Sequence, residues 1–246
     1  MNPLLQLEGV SLRYQTAEAE TVAIERLDLS VAPGEFVAIV GPSGCGKSTV
    51  LSMIAGLLPP TAGSITLNGK AVDRPLPGIG YMLQRDYLFE WRSIWENVAL
   101  GLDVRKQPGG RERAESLLKT YGLYEFKDSR PSELSGGMRQ RAALLRTLAI
   151  DPDLLLLDEP FSALDYQTRL TLSDEVSAII RKEQKTALFV THDISEAVSI
   201  ADRVVVFSAR PARVTLDLPV TLPGSTPLSR RSAEEFRAYF DRIWKE

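Results

Sequence analysis

Residues 41–49 form the segment whose residue types and spacing most clearly predict chemistry. They read Gly-Pro-Ser-Gly-Cys-Gly-Lys-Ser-Thr and fit the pattern G-x-x-x-x-G-K-[ST]. Glycines allow the backbone to curl so that successive N–H groups face one anion, and a helix that follows adds its positive end. Lys47 is then expected to reach the β- and γ-phosphates of a nucleotide, and Ser48 to hold Mg²⁺. The alternative is a plain glycine-rich turn.

Two consecutive acids, Asp158 and Glu159, follow a run of four leucines at 154–157. A carboxylate at the end of a buried strand can lie beside a phosphate loop and bind Mg²⁺ through water, which is the role we expect for Asp158. Glu159, one residue further along, is placed to polarise the water that attacks the γ-phosphate. Taken alone, the pair could also be an ordinary strand entering a loop.

A second predicted anion site lies at 134–141, where Leu-Ser-Gly-Gly-Met-Arg-Gln-Arg opens a helix. Exposed N–H groups at a helix start, together with the Ser135 hydroxyl, can bind phosphate. Ser135 as a simple helix N-cap is equally consistent with the sequence. That simpler interpretation does not require both Gly136 and Gly137.

Cys45 is the single cysteine of the chain and lies inside the glycine-rich segment. Loop N–H groups and Lys47 would make the local field positive, which favours thiolate, so we expect maleimide to label Cys45 unless bound Mg-ATP blocks it. The alternative is that the side chain points into the core and is inert. A single thiol makes no internal disulfide, which favours a reducing compartment.

The elements that must position these residues follow from the apolar patterns. Alternation at 5–10, 24–31 and 64–69 predicts half-buried strands, the last ending in an Asn-Gly turn. Continuous apolar runs predict strands buried on both faces of a parallel sheet. These runs lie at 36–40 and 154–157, two more core strands are predicted at 187–190 and 203–207, and another short strand is predicted at 80–84. The pattern becomes helical between about 86 and 148, and again at 168–185.

The composition is ordinary for a soluble globular protein, with 44% hydrophobic and 25% charged residues and a net charge of −3. This charge indicates no nucleic-acid partner. Neither a signal sequence nor an apolar run of membrane-spanning length is visible, so any link to a membrane should come through a partner. The chain length allows one large α/β domain or two small ones.

With all three motifs in this order, the chain resembles the ATP-binding subunit of ATP-binding cassette transporters over roughly residues 4–215. The resemblance implies an α/β fold: a phosphate-loop NTPase core with a parallel sheet, an N-terminal antiparallel β subdomain, and an inserted α-helical subdomain at about 86–148. It implies an ATPase whose domain spans 1–218 and is followed by a tail at 219–246. It also implies a head-to-tail homodimer that sandwiches two Mg-ATP between the phosphate loop of one subunit and the Ser-Gly-Gly signature of the other.

The resemblance extends to single positions. Tyr14 matches the aromatic that stacks on adenine, although it could instead be a core strand residue. Gln84 matches the residue that ligates Mg²⁺ or water, His192 matches the switch histidine at the γ-phosphate, and 162–165 resembles the loop that crosses the dimer interface. The expected catalytic residues are Glu159, His192, Gln84 and Lys47, and the expected metal ligands are Ser48, Gln84 and Asp158. The expected nucleotide-binding residues are Tyr14, Gly41, Pro42, Ser43, Gly44, Cys45, Gly46, Lys47, Ser48, Thr49, Ser135, Gly136 and Gly137.

Segments 84–101, 165–169 and 208–213 are similar to those of nitrate, sulfonate and taurine importers, whose relatives carry pyrimidine precursors. Glu90 stands where that group has proline, so the substrate stays open. The implied partners are membrane permease subunits and, indirectly, a solute-binding protein, with the chain at the cytoplasmic face of the inner membrane. The alternatives are a non-transport cassette ATPase acting on ribosomes or DNA, and a soluble phosphate-loop kinase.

The end of the chain carries an apolar stripe at helical spacing, formed by Phe236, Tyr239, Phe240, Ile243 and Trp244. We expect this helix to pack on the domain itself. A regulatory or dimer contact is the alternative.

Overall fold

The computed structural model describes residues 2–15, 20–106, 108–162 and 164–246 and contains two sheets with helices packed around them. The strands are β1 (Leu5–Gln15), β2 (Glu20–Val31), β3 (Phe36–Val40), β4 (Ala62–Leu67), β5 (Lys70–Ala71), β6 (Ile79–Met82), β7 (Leu154–Asp158), β8 (Thr186–Val190), β9 (Arg203–Phe207) and β10 (Val214–Pro219). The helices are α1 (Lys47–Ile54), α2 (Ile94–Arg105), α3 (Gly110–Thr120), α4 (Gly136–Ala149), α5 (Tyr166–Lys182), α6 (Ile194–Ile200), α7 (Pro227–Arg231) and α8 (Phe236–Trp244).

The larger sheet carries the predicted phosphate loop. Within the described residues its strand order is β10-β9-β3-β8-β7-β6, and the five strands from β9 to β6 run parallel. Strands β3, β7 and β8 are buried along their whole length. Their continuous apolar runs are thus explained by helices and the second sheet covering both faces, and the core strands predicted at 36–40, 154–157, 187–190 and 203–207 are confirmed. The strand predicted at 80–84 is correct only as far as Met82, because β6 ends there and Leu83 and Gln84 are exposed.

The smaller sheet has the order β2-β1-β4-β5, and its pairs are antiparallel. Asn68 and Gly69 connect β4 to β5 with φ angles of 51° and 73°. Positive φ at both central residues is the type I′ hairpin turn that Asn-Gly favours, so this turn prediction is confirmed.

Helices α2, α3 and α4 pack on one another and form most of the segment predicted to be helical. The prediction is wrong for residues 86–93, which contain no helix in the structure. Ser93 caps α2 and forms a capping box with Glu96, so the helix begins only at Ile94. The fully buried Asn97 amide then binds the N–H and carbonyl of Phe89, which stabilises the preceding loop without helical bonds.

The C-terminal helix α8 buries only part of its apolar stripe. Ile243 is buried, and Phe236 and Tyr239 pack partly against the main core. Phe240 and Trp244 stack on each other with ring centroids 6.0 Å apart, and Trp244 is 71% exposed. The expectation that the stripe packs on the domain therefore holds for one side of the helix. No helix in the described ranges is long and apolar enough to cross a membrane.

Candidate functional site

The glycine-rich segment 41–49 connects the end of β3 to the start of α1, as the sequence predicts. Gly46 precedes the helix with φ 124°, a conformation that residues with a side chain rarely adopt. A Cβ on Gly41 would lie 2.8 Å from the carbonyl oxygen of Phe207, so only glycine fits beside β9. The loop therefore depends on glycine both for its curvature and for its close approach to the sheet.

Lys47 lies folded across this loop. Its Nζ donates to the carbonyl oxygens of Gly41 and Pro42 at 2.8 and 2.9 Å, and its side chain is buried. Ser43 and Gly44 are exposed at the loop surface, where backbone N–H groups can meet a ligand. The structure thus brings an ammonium group and the loop backbone together, as a phosphate site requires.

Ser48 and Asp158 meet at the end of the phosphate loop. The Ser48 hydroxyl donates to Asp158 Oδ1 at 2.9 Å, and the Tyr81 hydroxyl donates to Oδ2 at 3.3 Å. Burial raises the pKa of Asp158, while these two hydrogen bonds oppose the rise by stabilising the carboxylate. Burial also raises the pKa of Tyr81, which therefore remains a donor. Tyr81 was not predicted, because an aromatic residue in a strand carries no distinguishing sequence signal.

Glu159 is the point at which the predicted catalytic residues converge. Its Oε2 lies 3.1 Å from His192 Nδ1 and 3.5 Å from the Gln84 amide nitrogen. The Glu159 backbone has φ 42°, and its N–H donates to the Val190 carbonyl at 2.9 Å, which anchors the residue between β7 and β8. The Gln84 amide also donates to Ser162 Oγ at 3.4 Å. Carboxylate, imidazole and amide therefore share one edge of the parallel sheet.

Glu196 places a buried carboxyl group next to Thr191, the residue that precedes His192. Thr191 Oγ1 donates to Glu196 Oε2 at 2.5 Å, and Glu196 is only 4% exposed. Burial raises the pKa of Glu196 to about 7. Arg169 bridges this region to the preceding loop, because its guanidinium donates to the Leu164 carbonyl and lies 3.9 Å from Asp193. Neither residue was predicted as part of the site: Glu196 lies outside every motif, and Arg169 was noted only as part of the family-like segment 165–169.

Two arginines of α4 hold the loop that follows Gln84. Arg146 donates to the carbonyl oxygens of Asp86 and Tyr87, each at 2.7 Å, and Arg139 Nε donates to the Asp86 carboxylate at 3.2 Å. These contacts join the helical part of the chain to the residue predicted to contact the metal. The sequence alone could not reveal them, because the partners lie about sixty positions apart.

Ser135 begins helix α4, with its hydroxyl accepting from Met138 N at 3.3 Å. The N-cap interpretation is therefore correct, and it is compatible with anion binding because Ser135 is exposed and Gly136 and Gly137 form the first turn. In the described residues, no hydrogen bond joins Ser135 to the segment 41–49.

The side chain of Cys45 lies in the hydrophobic core, and the residue is 1% exposed. The expectation of a reactive thiol at the phosphates is therefore wrong, and only the Cys45 backbone can contact a nucleotide. The thiol fills the space beneath the loop, 3.2 Å from where a Cβ of Gly41 would lie. Sequence reasoning could place Cys45 in the loop but could not determine the direction of its side chain.

Tyr14 is 42% exposed on β1, so the alternative of a core aromatic is wrong and its ring is available for stacking. An unpredicted residue, Arg210, donates to the Gly44 carbonyl at 3.0 Å and supports the phosphate loop from the turn after β9. In the predicted interface loop 162–165, Ala163 lies outside the described residues, whereas Asp165 caps α5 by accepting from Thr168 N at 3.0 Å.

Comparison with known proteins agrees with this arrangement. Residues 24–162 match the family model described as ABC transporter. The chain is 44% identical over 246 residues to the uncharacterized ABC transporter ATP-binding protein YtlC of Bacillus subtilis, covering 98% of this chain and 95% of the relative. It is 44% identical to the taurine import ATP-binding protein TauB of Rhizobium johnstonii, covering 86% and 82%. It is 40% identical to the aliphatic sulfonates import ATP-binding protein SsuB of Bacillus licheniformis, covering 92% and 88%.

The fold is similar to that of a solved ATP-binding cassette described as a dimeric post-hydrolysis state bound to ADP and Pi. That structure matches with a TM-score of 0.75 and 31% identity, covering 88% of this chain and 99% of the other. The α/β phosphate-loop fold expected from the sequence is confirmed, and the kinase alternative does not hold. The chain therefore belongs to the ABC transporter family, as an ATP-binding subunit with ATPase activity.

Proposed function

We propose that two copies of this chain close around two Mg-ATP molecules and, through hydrolysis, drive a membrane permease that imports a small solute. The relatives named for the import of taurine and of aliphatic sulfonates favour a solute of that class, while nitrate and a pyrimidine precursor remain candidates only through the sequence resemblance described above. The observation that carries the proposal is the convergence of His192 and Gln84 on Glu159, next to the Ser48–Asp158 pair. This arrangement supplies a base, an orienting group and phosphate ligands at one edge of the sheet.

Each residue has a chemical task in this proposal. Backbone N–H groups of the loop and the Lys47 ammonium bind the phosphates. Glu159 orients the attacking water and accepts its proton, while His192 holds the carboxylate and contacts the γ-phosphate. Tyr14 stacks on the adenine. The nucleotide-binding set is Tyr14, Gly41, Pro42, Ser43, Gly44, Cys45 through its backbone, Gly46, Lys47, Ser48, Thr49, Ser135, Gly136 and Gly137.

The oxygen donors at the loop fit Mg²⁺. Ser48 Oγ and Asp158 Oδ1 lie 2.9 Å apart, with the Gln84 amide group near Glu159. Mg²⁺ prefers a few protein oxygens together with water and substrate phosphates to an all-protein cage. When bound with ATP, the ion neutralises charge on the phosphates.

The exposed start of α4 supports a site completed by a second copy. Ser135 is exposed, the two glycines after it are half-buried, and none of the three is hydrogen-bonded to the phosphate loop of its own chain, as far as the described residues extend. In a head-to-tail dimer, this helix start can bind the γ-phosphate held by the other subunit. ATP then supplies contacts that exist only in the closed pair, so its binding shifts the equilibrium toward closure.

The loop between Gln84 and α2 supports a permease contact. Tyr87 and Trp91 are exposed in this loop, and Leu83 is exposed directly before it. Exposed apolar side chains that cluster mark interaction sites. Arg146 ties this loop to α4, so motion of the helical subdomain at about 86–148 can be transmitted to the permease.

We assign residues 1–218 to the ATPase domain and 219–246 to a tail with an amphipathic helix.

In this assignment the chain is a peripheral protein at the cytoplasmic face of the membrane. It meets the solute only indirectly, through the permease and a solute-binding protein.

The test is Glu159→Gln, which keeps the size and the hydrogen bonds of the side chain but removes the base. ATP turnover, measured as phosphate release, should fall by ~10²–10⁴ because a positioned general base is lost. ATP affinity should be retained, and the variant should form an ATP-dependent dimer visible by size-exclusion chromatography. Glu234→Gln is the matched control, since Glu234 is exposed and has no hydrogen-bond partner in the described chain. Near-normal turnover of Glu159→Gln would remove Glu159 from catalysis.

A further inference from the structure

A cavity of about 320 Å³ lies between α5, α6 and the segment that leads into α7. None of the residues assigned to nucleotide binding lines it. Its polar lining combines two arginines, Arg181 and Arg230, with one carboxylate, Asp202, and several hydroxyl residues, among them Ser177 and Ser225. The cavity therefore offers cationic and neutral hydrogen-bond donors around a single acid.

Arg230 is a buried cation that forms no ion pair with a carboxylate among the described residues. It is only 7% exposed, and its guanidinium donates to the carbonyl oxygens of Ile200 and Ala201 at 3.2 and 2.8 Å. Its Nε has no hydrogen-bond partner among the residues that the structure describes. Burial, followed by the nearby Arg181 guanidinium, lowers the pKa of Arg230, which indicates that its charge is incompletely compensated.

Arg181 brings a second positive charge to the same place. One of its terminal nitrogens donates both to the Ile200 carbonyl, at 3.1 Å, and to Asp202 Oδ1, at 2.9 Å. The other Asp202 oxygen accepts from the backbone N–H of Phe36 at 3.0 Å. Asp202 thus has both oxygens occupied and faces two guanidinium groups.

A purely structural role explains part of this arrangement. Both arginines bind the C-terminal end of α6, where a helix carries roughly half a negative charge. One carboxylate and a short helix end do not balance two guanidinium groups, so positive charge remains in excess. An unpaired buried charge is costly, and a bound anion would remove that cost.

We propose that this cavity is a binding site for a small oxyanion, held by Arg181 and the neighbouring hydroxyl groups in the field of Arg230. A planar guanidinium group can donate two hydrogen bonds to a pair of oxygens on a sulfate, sulfonate, phosphate or carboxylate group. The volume far exceeds the ~30 Å³ that one water molecule occupies in the liquid. The cavity can therefore accept either an inorganic anion with water or the headgroup of a small organic acid.

The experiment is calorimetric titration of the full chain with sodium sulfate and, separately, with sodium ethanesulfonate. Saturating Mg-ADP is present so that the phosphate loop cannot bind the anion, and sodium chloride at matched ionic strength is the reference. We expect one anion per chain with a Kd of about 1 mM, a typical weak ligand affinity. Tighter binding of ethanesulfonate would identify an organic acid as the ligand class, and tighter binding of sulfate an inorganic anion.

Variants separate this site from general ionic effects. Arg181→Gln should weaken binding at least about tenfold, because a hydrogen bond to a charged group is lost. Asp202→Asn should tighten it several-fold, because the competing negative charge is neutralised; a purely structural role would not produce this gain. Arg237→Gln is the matched control, since Arg237 pairs with Asp241 on exposed α8.

Two results would overturn the proposal. One is the absence of binding above the chloride reference at tenfold the expected Kd. The other is a folded Arg181→Gln protein, verified by circular dichroism, that binds both anions as tightly as the unmodified chain does. Because Arg230 is buried and its replacement could unfold the chain, the test does not depend on an Arg230 variant.

Discussion

Arg146 joins helix α4 to the loop after Gln84, and replacing it with methionine tests how much that connection stabilises the protein. Its two terminal nitrogens each donate to a backbone carbonyl, those of Asp86 and Tyr87, at 2.7 Å. Burial lowers the pKa of Arg146, and the nearby Asp86 carboxylate opposes that change. The side chain is thus a desolvated cation whose main compensation comes from this loop.

The expected magnitude follows from these contacts. Hydrogen bonds to a charged group contribute about 1.5–3 kcal/mol each, so two of them amount to roughly 3–6 kcal/mol. Removing the guanidinium also removes the cost of burying it, which offsets part of the loss. Methionine has similar length and fills the space with flexible apolar atoms. We therefore expect Arg146→Met to lower the free energy of unfolding by about 2–4 kcal/mol.

The assay is urea unfolding followed by circular dichroism, with Arg146→Lys and Arg242→Met alongside. Lysine keeps the charge but cannot bind both carbonyls with a planar fork, so its loss should be intermediate. Arg242 lies exposed on α8 with no hydrogen-bond partner in the described part of the chain, and its replacement should change stability by less than about 0.5 kcal/mol.

Activity provides a second readout for Arg146→Met. ATP affinity should persist, because Lys47 and the phosphate loop do not contact Arg146, whereas turnover should fall as Gln84 loses its support. A stability for Arg146→Met within about 0.5 kcal/mol of the unmodified chain would refute the reasoning. It would mean that the loop keeps its conformation without the two hydrogen bonds.

Three further predictions concern other parts of the site. Burial raises the pKa of Glu196 from 4.5 to about 7, so between these pH values the folded state holds a proton that the unfolded state releases. The free energy of unfolding should therefore fall by about 3 kcal/mol as the pH rises through this interval. Glu196→Gln should flatten this dependence when unfolding is compared at about pH 5 and about pH 8. Cys45 is buried, so intact-mass analysis should find no maleimide adduct on the native protein and one adduct in urea. The Cys45→Ser variant should stay active. Rapid labelling of the native protein that Mg-ATP blocks would contradict the structure. Ser135→Arg and Lys47→Ala should each be inactive alone, but their mixture should regain some ATPase activity through one composite site, and no recovery at all would count against a signature that acts on the partner's ATP.

Most of the sheet and the approximate motif positions could be predicted from the sequence, because both depend on local patterns. Apolar runs such as 36–40 and 154–157 leave few alternatives to fully buried strands. The phosphate loop follows from its glycine and lysine spacing, and the Asn68–Gly69 turn follows from the tolerance of both residues for positive φ. Each of these features is decided within a few residues of chain.

The start of α2 shows where pattern reasoning fails. Residues 86–93 have a composition compatible with a helix, yet the buried Asn97 amide binds the backbone of Phe89 and holds a loop there. A hydrogen bond of this kind competes with helix formation, and it forms only once tertiary packing has buried the side chain. The same limit applies to Cys45, whose position in the loop is local while its direction depends on the space beneath the loop.

The sequence by itself determined the chemical groups: an ammonium, hydroxyl and carboxylate set with two glycine-rich helix starts that can bind phosphate. Only the tertiary structure decided which groups meet. The order β9-β3-β8-β7-β6 places the ends of β3, β7 and β8 at one edge of the sheet, and so brings the phosphate loop together with Asp158, Glu159 and His192. Strand order depends on packing between segments far apart in the chain, and so does the balance of charge around Arg181 and Arg230. Local residue preferences contain no information about those contacts, because they arise only after the chain has folded and excluded water from the space between the segments.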